Sequence, residues 1–165
     1  MKILEGKKIL VVDDEPDILE TVIDLFDSSH IVTAGSFEEA REKIAKESFD
    51  LVILDIMGVN GFELLKTSVK RGFPTVMLTA YALTPEALEK SIKLGAVSFL
   101  PKEKMSDLDE FLADVVLKGG QPQPRCQHWL RYQAKFRSRF QSRTSAPDSK
   151  GASPILAVQK TFRPI

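Results

Sequence analysis

The sequence has little of what secreted, membrane-spanning or zinc-binding proteins require. Its 165 residues include one cysteine, Cys126, which excludes an intramolecular disulfide and a metal site built from cysteine pairs. No apolar run approaches the ~18 residues that a membrane-spanning helix needs, and residues 51–54 are among the longest. Only two apolar residues separate Lys2 from Glu5, so no signal-peptide core is expected. These absences predict a cytoplasmic protein.

Acidic residues are nearly absent from the last part of the chain, although the formal net charge of the whole chain is zero. Residues 1–118 carry 14 Lys and Arg against 22 Asp and Glu, whereas residues 119–165 carry 9 basic residues and one acid, Asp148. Such opposite balances indicate segments of different character. We therefore expect one domain over residues 1–118, followed by a basic tail.

Five short runs of β-forming residues alternate with helical patterns in the acidic part. The runs are apolar at consecutive positions, which is typical of parallel strands covered by helices on both faces. The predicted strands are 8–13, 30–34, 51–55, 75–79 and 96–100. The predicted fold class is therefore α/β, a doubly wound five-stranded parallel sheet with right-handed crossovers and five flanking helices.

Helix-start signals follow four of these runs. Pro16 is expected at the first position of a helix, and Ser36 with Glu39 predicts a capping box. Pro85 after a threonine predicts the start of the fourth helix, and Ser106 is expected to cap the fifth. These signals agree with the alternation of strands and helices.

The basic tail divides into three predicted parts. Residues 119–126 form a Gly/Pro linker, residues 127–141 a basic amphipathic helix, and residues 142–165 a disordered end. Basic residues interleaved with aromatic ones suit an anionic membrane surface, nucleic acid or a groove on a partner protein. A helix that is solvated or docked on the acidic body fits the same pattern. No DNA-binding output domain is recognisable in so short a segment.

Polar side chains follow the predicted strands at one edge of the sheet, where ligands bind in open α/β folds. Asp13 and Asp14 follow the first strand, Asp55 and Thr79 end the third and fourth, and Lys102 follows the fifth. Three crowded carboxylates repel one another unless a cation lies among them, and an all-oxygen ligand set favours Mg²⁺. A lysine and a hydroxyl suit phosphoryl oxygens, and a carboxylate can be the nucleophile. The residues predict phosphoryl transfer onto an aspartate.

Four motifs at these strand ends resemble those of the receiver domains of bacterial two-component response regulators. They are VVDDEP at 11–16, VILDIM at 52–57, MLTA at 77–80 and SFLPK at 98–102, within a match over about residues 6–118. The resemblance implies the flavodoxin-like strand order 2-1-3-4-5. It also implies that Asp55 accepts a phosphoryl group from a sensor histidine kinase or a phosphotransfer protein.

The same resemblance implies roles for the surrounding residues. Mg²⁺ would be held by Asp13, Asp14, Asp55 and the backbone carbonyl of Met57. Lys102 would pair with the phosphoryl group, while Thr79 and Phe99 would act as the switch. Phosphorylation would then alter a face formed by the fourth helix, fifth strand and fifth helix, toward a downstream protein that the sequence does not identify or a second copy of the chain.

The sequence departs from the family pattern at two places, and two alternative functions are compatible with its residues. The loop that follows Asp55 is short and lacks a proline, and Lys102 precedes Glu103 where the family usually has a proline. The loop that meets a partner is therefore expected to differ. The alternatives are a Mg²⁺-dependent phosphatase or phosphotransferase with an aspartyl intermediate, and an adaptor that binds membrane or nucleic acid through the tail. The first interpretation predicts a phosphoacceptor and not a turnover enzyme.

Overall fold

The computed structural model describes residues 4–26, 29–79 and 85–117. Backbone contacts divide the chain into two units, Met1–Pro122 and Gln123–Ile165, and all the described residues lie in the first. The predictions for the linker at 119–126, the helix at 127–141 and the end at 142–165 fall outside the described residues and stay predictions.

Strands and helices alternate through the described part of the chain. The strands are β1 (Lys8–Val12), β2 (His30–Ala34), β3 (Leu51–Asp55), β4 (Thr75–Thr79) and β5 (Ser98–Pro101). The helices are α1 (Pro16–Leu25), α2 (Phe37–Lys46), α3 (Gly61–Lys70), α4 (Pro85–Lys93) and α5 (Leu108–Leu117), with a 3-10 helix at Lys102–Asp107 before α5. All five predicted strands are present, although the first ends one residue earlier and the fifth begins two residues later than predicted.

The five strands form one parallel sheet in the order β2-β1-β3-β4-β5, which confirms the predicted fold class and strand order. Strand order reverses between β1 and β3, where Val12 lies opposite Leu54. This register brings the residues that follow Val12 and Leu54 to the same edge of the sheet. The carboxyl end of β1 therefore meets the carboxyl end of β3, at the place where such folds bind their ligands.

The core explains why the strand residues are apolar at consecutive positions. Every residue of β3 and β4 is buried, because helices cover both faces of the sheet. The helices contribute buried side chains such as Ile44 of α2 and Leu64 of α3. No helix among the described residues is long and apolar enough to span a bilayer.

Two of the predicted helix starts are confirmed, and one differs in detail. α1 begins at Pro16 and α4 begins at Pro85. Ser36 caps α2 by accepting a hydrogen bond from the Glu39 N–H at 3.3 Å. The Glu39 carboxylate, however, accepts from the N–H of Gly35 at 3.0 Å, so the reciprocal bond of the capping box is displaced by one residue.

The predicted cap of the last helix was wrong. α5 begins at Leu108, and Ser106 lies inside the preceding 3-10 helix, where its hydroxyl donates to the Asp107 carboxylate at 3.2 Å. The side chain of Met105 is 6% exposed. A capping Ser106 would make Asp107 the first residue of the helix, so α5 starts one residue later than predicted, directly after the 3-10 helix.

Replacing Ile53 with alanine should lower the free energy of unfolding by about 2–5 kcal/mol, because the side chain is fully buried in β3 and its removal leaves a cavity. Ile23 on α1 is 46% exposed, and Ile23→Ala should cost less than about 1 kcal/mol. Urea unfolding followed by circular dichroism measures both changes. Equal losses in the two variants would contradict this account of the core.

Candidate functional site at the carboxyl edge of the sheet

Two buried aspartates lie side by side where strand order reverses. Asp13 directly follows β1, and its N–H donates to the Ala34 carbonyl at 3.2 Å, which holds it in line with the sheet. Asp55 is the last residue of β3. Asp13 is 0% exposed and Asp55 is 3% exposed, so both carboxylates are largely removed from water. Such burial is costly for a charged group unless an opposite charge lies close by.

That opposite charge comes from Lys102, the first residue after β5. Its Nζ lies 2.8 Å from Asp13 Oδ2, 2.7 Å from Glu15 Oε1 and 3.2 Å from Asp55 Oδ1. Burial of the ammonium by itself lowers the pKa of Lys102. Hydrogen bonds to Asp13 and Glu15, together with the charge of Asp55, outweigh that effect and raise the pKa above its usual range. Lys102 is therefore a permanent cation that joins the ends of three strand–loop segments.

A third aspartate completes the acidic cluster. Asp14 is exposed, and oxygen atoms of Asp13, Asp14 and Asp55 lie within 4.8 Å of one another. Lys102 forms ion pairs with Asp13, Glu15 and Asp55, and Asp14 adds a fourth carboxylate beside them. Acidic groups therefore outnumber cationic ones in this cluster of described residues. Burial and, less strongly, the charge of Asp55 raise the pKa of Asp13, although hydrogen bonds from Lys102 and from the Glu15 N–H oppose the shift.

The donor atoms at this cluster fit a hard divalent cation. All are carboxylate oxygens, which Mg²⁺ prefers. Asp13 Oδ2 is buried and forms an ion pair with Lys102 Nζ at 2.8 Å, while the same ammonium donates a hydrogen bond to Asp13 Oδ1 at 3.1 Å. The contact at Oδ2 does not have hydrogen-bond geometry. This buried oxygen, which lies beside two further carboxylates, is therefore a suitable ligand for Mg²⁺.

The loop between β3 and α3 holds the Asp55 carboxylate in one orientation. Asp55 Oδ2 accepts hydrogen bonds from the N–H groups of Met57 at 3.0 Å and Gly58 at 2.6 Å. The loop ends at Asn60, whose φ of 52° places it in the left-handed region, and Gly61 begins α3. A Cβ at Gly61 would overlap the backbone oxygen of Asp55, so only glycine allows this close approach.

The other predicted site residues lie at different distances from the carboxyl ends of the strands. Thr79 is the last residue of β4, one position beyond the Leu78 that lies opposite Asp55, and it is 3% exposed. Met57, two residues after Asp55, is 80% exposed. Phe99 lies on the edge strand β5 opposite Met77, half-buried against the core, and so is two residue positions farther from the carboxyl ends of the strands than Thr79.

Sequence reasoning missed two residues of the site. Glu15 was treated only as part of a motif, yet it is an ion-pair partner of Lys102. Gly58 was noted only within a short loop, yet its N–H bonds Asp55 and its missing side chain makes room for Asp14. A glycine three residues after a proposed phosphoacceptor was the one sequence signal that could have drawn attention to the loop.

Comparison with known proteins decides the family. A family model of the response regulator receiver domain matches residues 9–113, which is more than half of the chain. The chain belongs to this family. Receiver domains generally bind Mg²⁺ through an acidic pocket and interact with histidine kinases or phosphotransfer proteins, as parts of two-component systems.

The receiver domain resembles several curated response regulators over part of their length. It is 36% identical over 105 residues to the response regulator protein PilR of Pseudomonas aeruginosa, covering 60% of this chain and 23% of PilR. It is 38% identical over 105 residues to the alkaline phosphatase synthesis transcriptional regulatory protein PhoP of Bacillus subtilis, covering 59% of this chain and 42% of PhoP. The chain thus spans less than half of these relatives, and the match is to one part of each.

Solved structures that the match covers almost completely show the same fold. The chemotaxis protein CheY4 of Vibrio cholerae is 30% identical, with a TM-score of 0.59, and the match covers 67% of this chain and 98% of CheY4. A CheY-like receiver domain protein from Methanospirillum hungatei is 26% identical, with a TM-score of 0.59 and coverage of 70% and 99%. Both agree with the five-stranded parallel architecture of the receiver domain.

Asp13→Asn should raise the Tm of the metal-free protein at neutral pH. Because the pKa of Asp13 is raised, the folded chain holds this proton more tightly than the unfolded chain. Stability is therefore lost as the pH rises through the usual aspartate range to the raised pKa, and the ionised group is a net cost above it. Calorimetric melting in EDTA measures the change.

Asp50→Asn is the control, and its expected change in Tm has the opposite sign. The N–H of Lys8 at 2.9 Å and, less strongly, the ammonium of Lys7 at 3.1 Å lower the pKa of Asp50. Its charge contributes stability above the usual aspartate pKa, and that contribution disappears as the pH falls through the folded-state value. Asp50→Asn should therefore lower the Tm at neutral pH. Shifts of the same sign in both variants would refute this electrostatic account.

Gly61→Ala should destabilise the receiver domain by about 1–3 kcal/mol, because its Cβ collides with backbone rather than with a flexible side chain. Gly35→Ala is the matched control, since no atom lies within 4 Å of the added Cβ and its φ is not positive. Urea unfolding compares the two variants. A Gly61→Ala protein as stable as Gly35→Ala would show that the loop after Asp55 is not held tightly.

Proposed function

We propose that this receiver domain accepts a phosphoryl group on Asp55, in a Mg²⁺-dependent reaction with a histidine kinase or phosphotransfer protein. The observation that carries the proposal is the placement of a buried Asp55 carboxylate 3.2 Å from the Lys102 ammonium, inside a cluster of three aspartates. A buried nucleophile beside a fixed cation and an acidic cluster is suited to phosphoryl transfer.

In the proposed reaction a carboxylate oxygen of Asp55 attacks the phosphorus of a phosphohistidine. The new O–P bond forms as the N–P bond breaks, and the released imidazole takes up a proton. The N–H groups of Met57 and Gly58 fix the plane of the Asp55 carboxylate, so it needs little reorientation before attack. The Lys102 ammonium stabilises the charge that develops on the transferred group.

Mg²⁺ is proposed to bind oxygens of Asp13, Asp14 and Asp55 and the carbonyl of Met57. When bound, it would neutralise charge on the phosphoryl oxygens and reduce the repulsion among the three aspartates. Asp13 Oδ2 is a candidate ligand atom, because it is buried beside the other carboxylates and its 2.8 Å contact with Lys102 is an ion pair without hydrogen-bond geometry.

Signalling is proposed to follow from the phosphoryl group rather than from turnover of an external substrate. Thr79 ends β4 beside Asp55, and its hydroxyl is proposed to move toward the phosphoryl group. Half-buried Phe99 on β5 is proposed to follow, which alters the face formed by α4, β5 and α5 toward a downstream protein or a second copy. The single cysteine and the family's partners favour a cytoplasmic location for this reaction.

Incubation with acetyl phosphate and Mg²⁺ should add one phosphoryl group to the wild-type chain. Intact-mass spectrometry detects the adduct, and EDTA should abolish it. Asp55→Asn should give no adduct, because the amide is not a nucleophile under these conditions. Asp50→Asn, a change of the same kind at an exposed position, should be phosphorylated like the wild type.

Two outcomes would reject the proposal. One is an adduct that persists in Asp55→Asn, which would place the phosphoryl group elsewhere. The other is many turnovers of p-nitrophenyl phosphate by the wild type, since a phosphatase with an aspartyl intermediate turns over an excess of substrate and a receiver domain does not.

A further inference from the structure

The loop that follows Asp55 lies close to the acidic cluster formed by Asp13, Asp14 and Asp55. Only residues 56–60 connect β3 with α3, and the N–H groups of Met57 and Gly58 both bond Asp55 Oδ2. The bond from Gly58 is the shorter, at 2.6 Å, so its backbone lies directly beside the phosphoacceptor. Any side chain at this position would therefore enter the space that the acidic cluster occupies.

The backbone conformation of Gly58 does not require a glycine. Positive φ values occur at Gly6, Gly72 and Gly95 among the described glycines, and not at Gly58. What distinguishes Gly58 is its surroundings, because the three atoms nearest to an added Cβ all belong to the carboxylate group of Asp14 and would overlap it. Glycine is needed at position 58 because the Asp14 carboxylate occupies the space that a Cβ would take.

Among the residues that the structure describes, no other contact fixes the Asp14 carboxylate. It is exposed, and within the described parts of the chain no hydrogen bond or ion pair holds its side chain. Its neighbour Asp13, by contrast, is held by the Glu15 N–H and by Lys102. The rotamer that brings Asp14 within 4.8 Å of the other two carboxylates thus depends on the room above Gly58.

We propose that Gly58 is a positioning residue of the metal site, whose missing side chain allows the Asp14 carboxylate to lie beside those of Asp13 and Asp55. The proposal rests on the Mg²⁺ site described under the proposed function. It assigns to the short loop a role in metal affinity that is separate from its hydrogen bonds to Asp55. An alanine at position 58 keeps those backbone bonds but turns Asp14 outward into solvent.

The test compares Mg²⁺ binding by the full chain in the wild type, Gly58→Ala and Gly35→Ala. Titration calorimetry with MgCl₂ should show roughly tenfold weaker binding in Gly58→Ala, the size typical when the support of a metal ligand is lost. Gly35→Ala should bind like the wild type, since its added Cβ meets nothing within 4 Å and it carries the same change in backbone freedom.

Melting in EDTA separates this effect from damage to the fold. The two alanine variants should have equal metal-free Tm values, because an exposed carboxylate can rotate away at little cost. If Gly58→Ala melts lower, the double variant Asp14→Ala/Gly58→Ala should regain the lost Tm, since it removes the colliding group. A double variant that stays low would overturn the proposal.

A double-mutant cycle with Asp14→Ala separates the role of Gly58 from the existence of the Mg²⁺ site itself. In the Asp14→Ala background, Gly58→Ala should cause no further loss of Mg²⁺ affinity, because the ligand it displaces is already gone. Wild-type protein that binds Mg²⁺ no better than Gly58→Ala would overturn the role of Gly58 alone. Wild-type protein that binds no Mg²⁺ would overturn the metal site, and the role of Gly58 with it.

Discussion

The ammonium of Lys102 is the contact on which the carboxyl edge of this sheet depends. It joins Asp13 after β1, Asp55 at the end of β3 and the exposed Glu15, and each of these pairs links segments that are far apart in sequence. Four carboxylates and one ammonium lie together among the described residues, so acidic groups outnumber the cation in a partly buried place. Such an arrangement favours the binding of a divalent cation.

The parallel sheet supplies the rigid support for these charges. β3 and β4 are buried along their whole length, and polar groups in them are confined to the ends. The backbone of the loop after Asp55 adds two N–H donors to one carboxylate oxygen, and the absence of a side chain at Gly58 leaves room for Asp14. Backbone N–H groups and the absence of a side chain at Gly58 therefore shape the site as much as the charged side chains do.

Most of the fold could be predicted from the pattern of the chain. Consecutive apolar residues predicted five buried parallel strands, and Pro16 and Pro85 marked helix starts that the structure confirms. One local signal failed near the end of the domain. Ser106 has the chemistry of a helix cap, but it lies inside a 3-10 helix beside the buried Met105, and α5 begins only at Leu108.

The sequence by itself determined the fold class and the identity of the groups at the strand ends. Runs of consecutive apolar residues and the motifs around Asp13, Asp55 and Lys102 are local properties of the chain. Tertiary structure alone decided that Glu15 pairs with Lys102, 87 residues away, and that Asp14 lies over Gly58. These contacts arise between chain segments that meet only after the sheet has formed. Their geometry depends on strand register and loop length, which no single residue or short motif encodes.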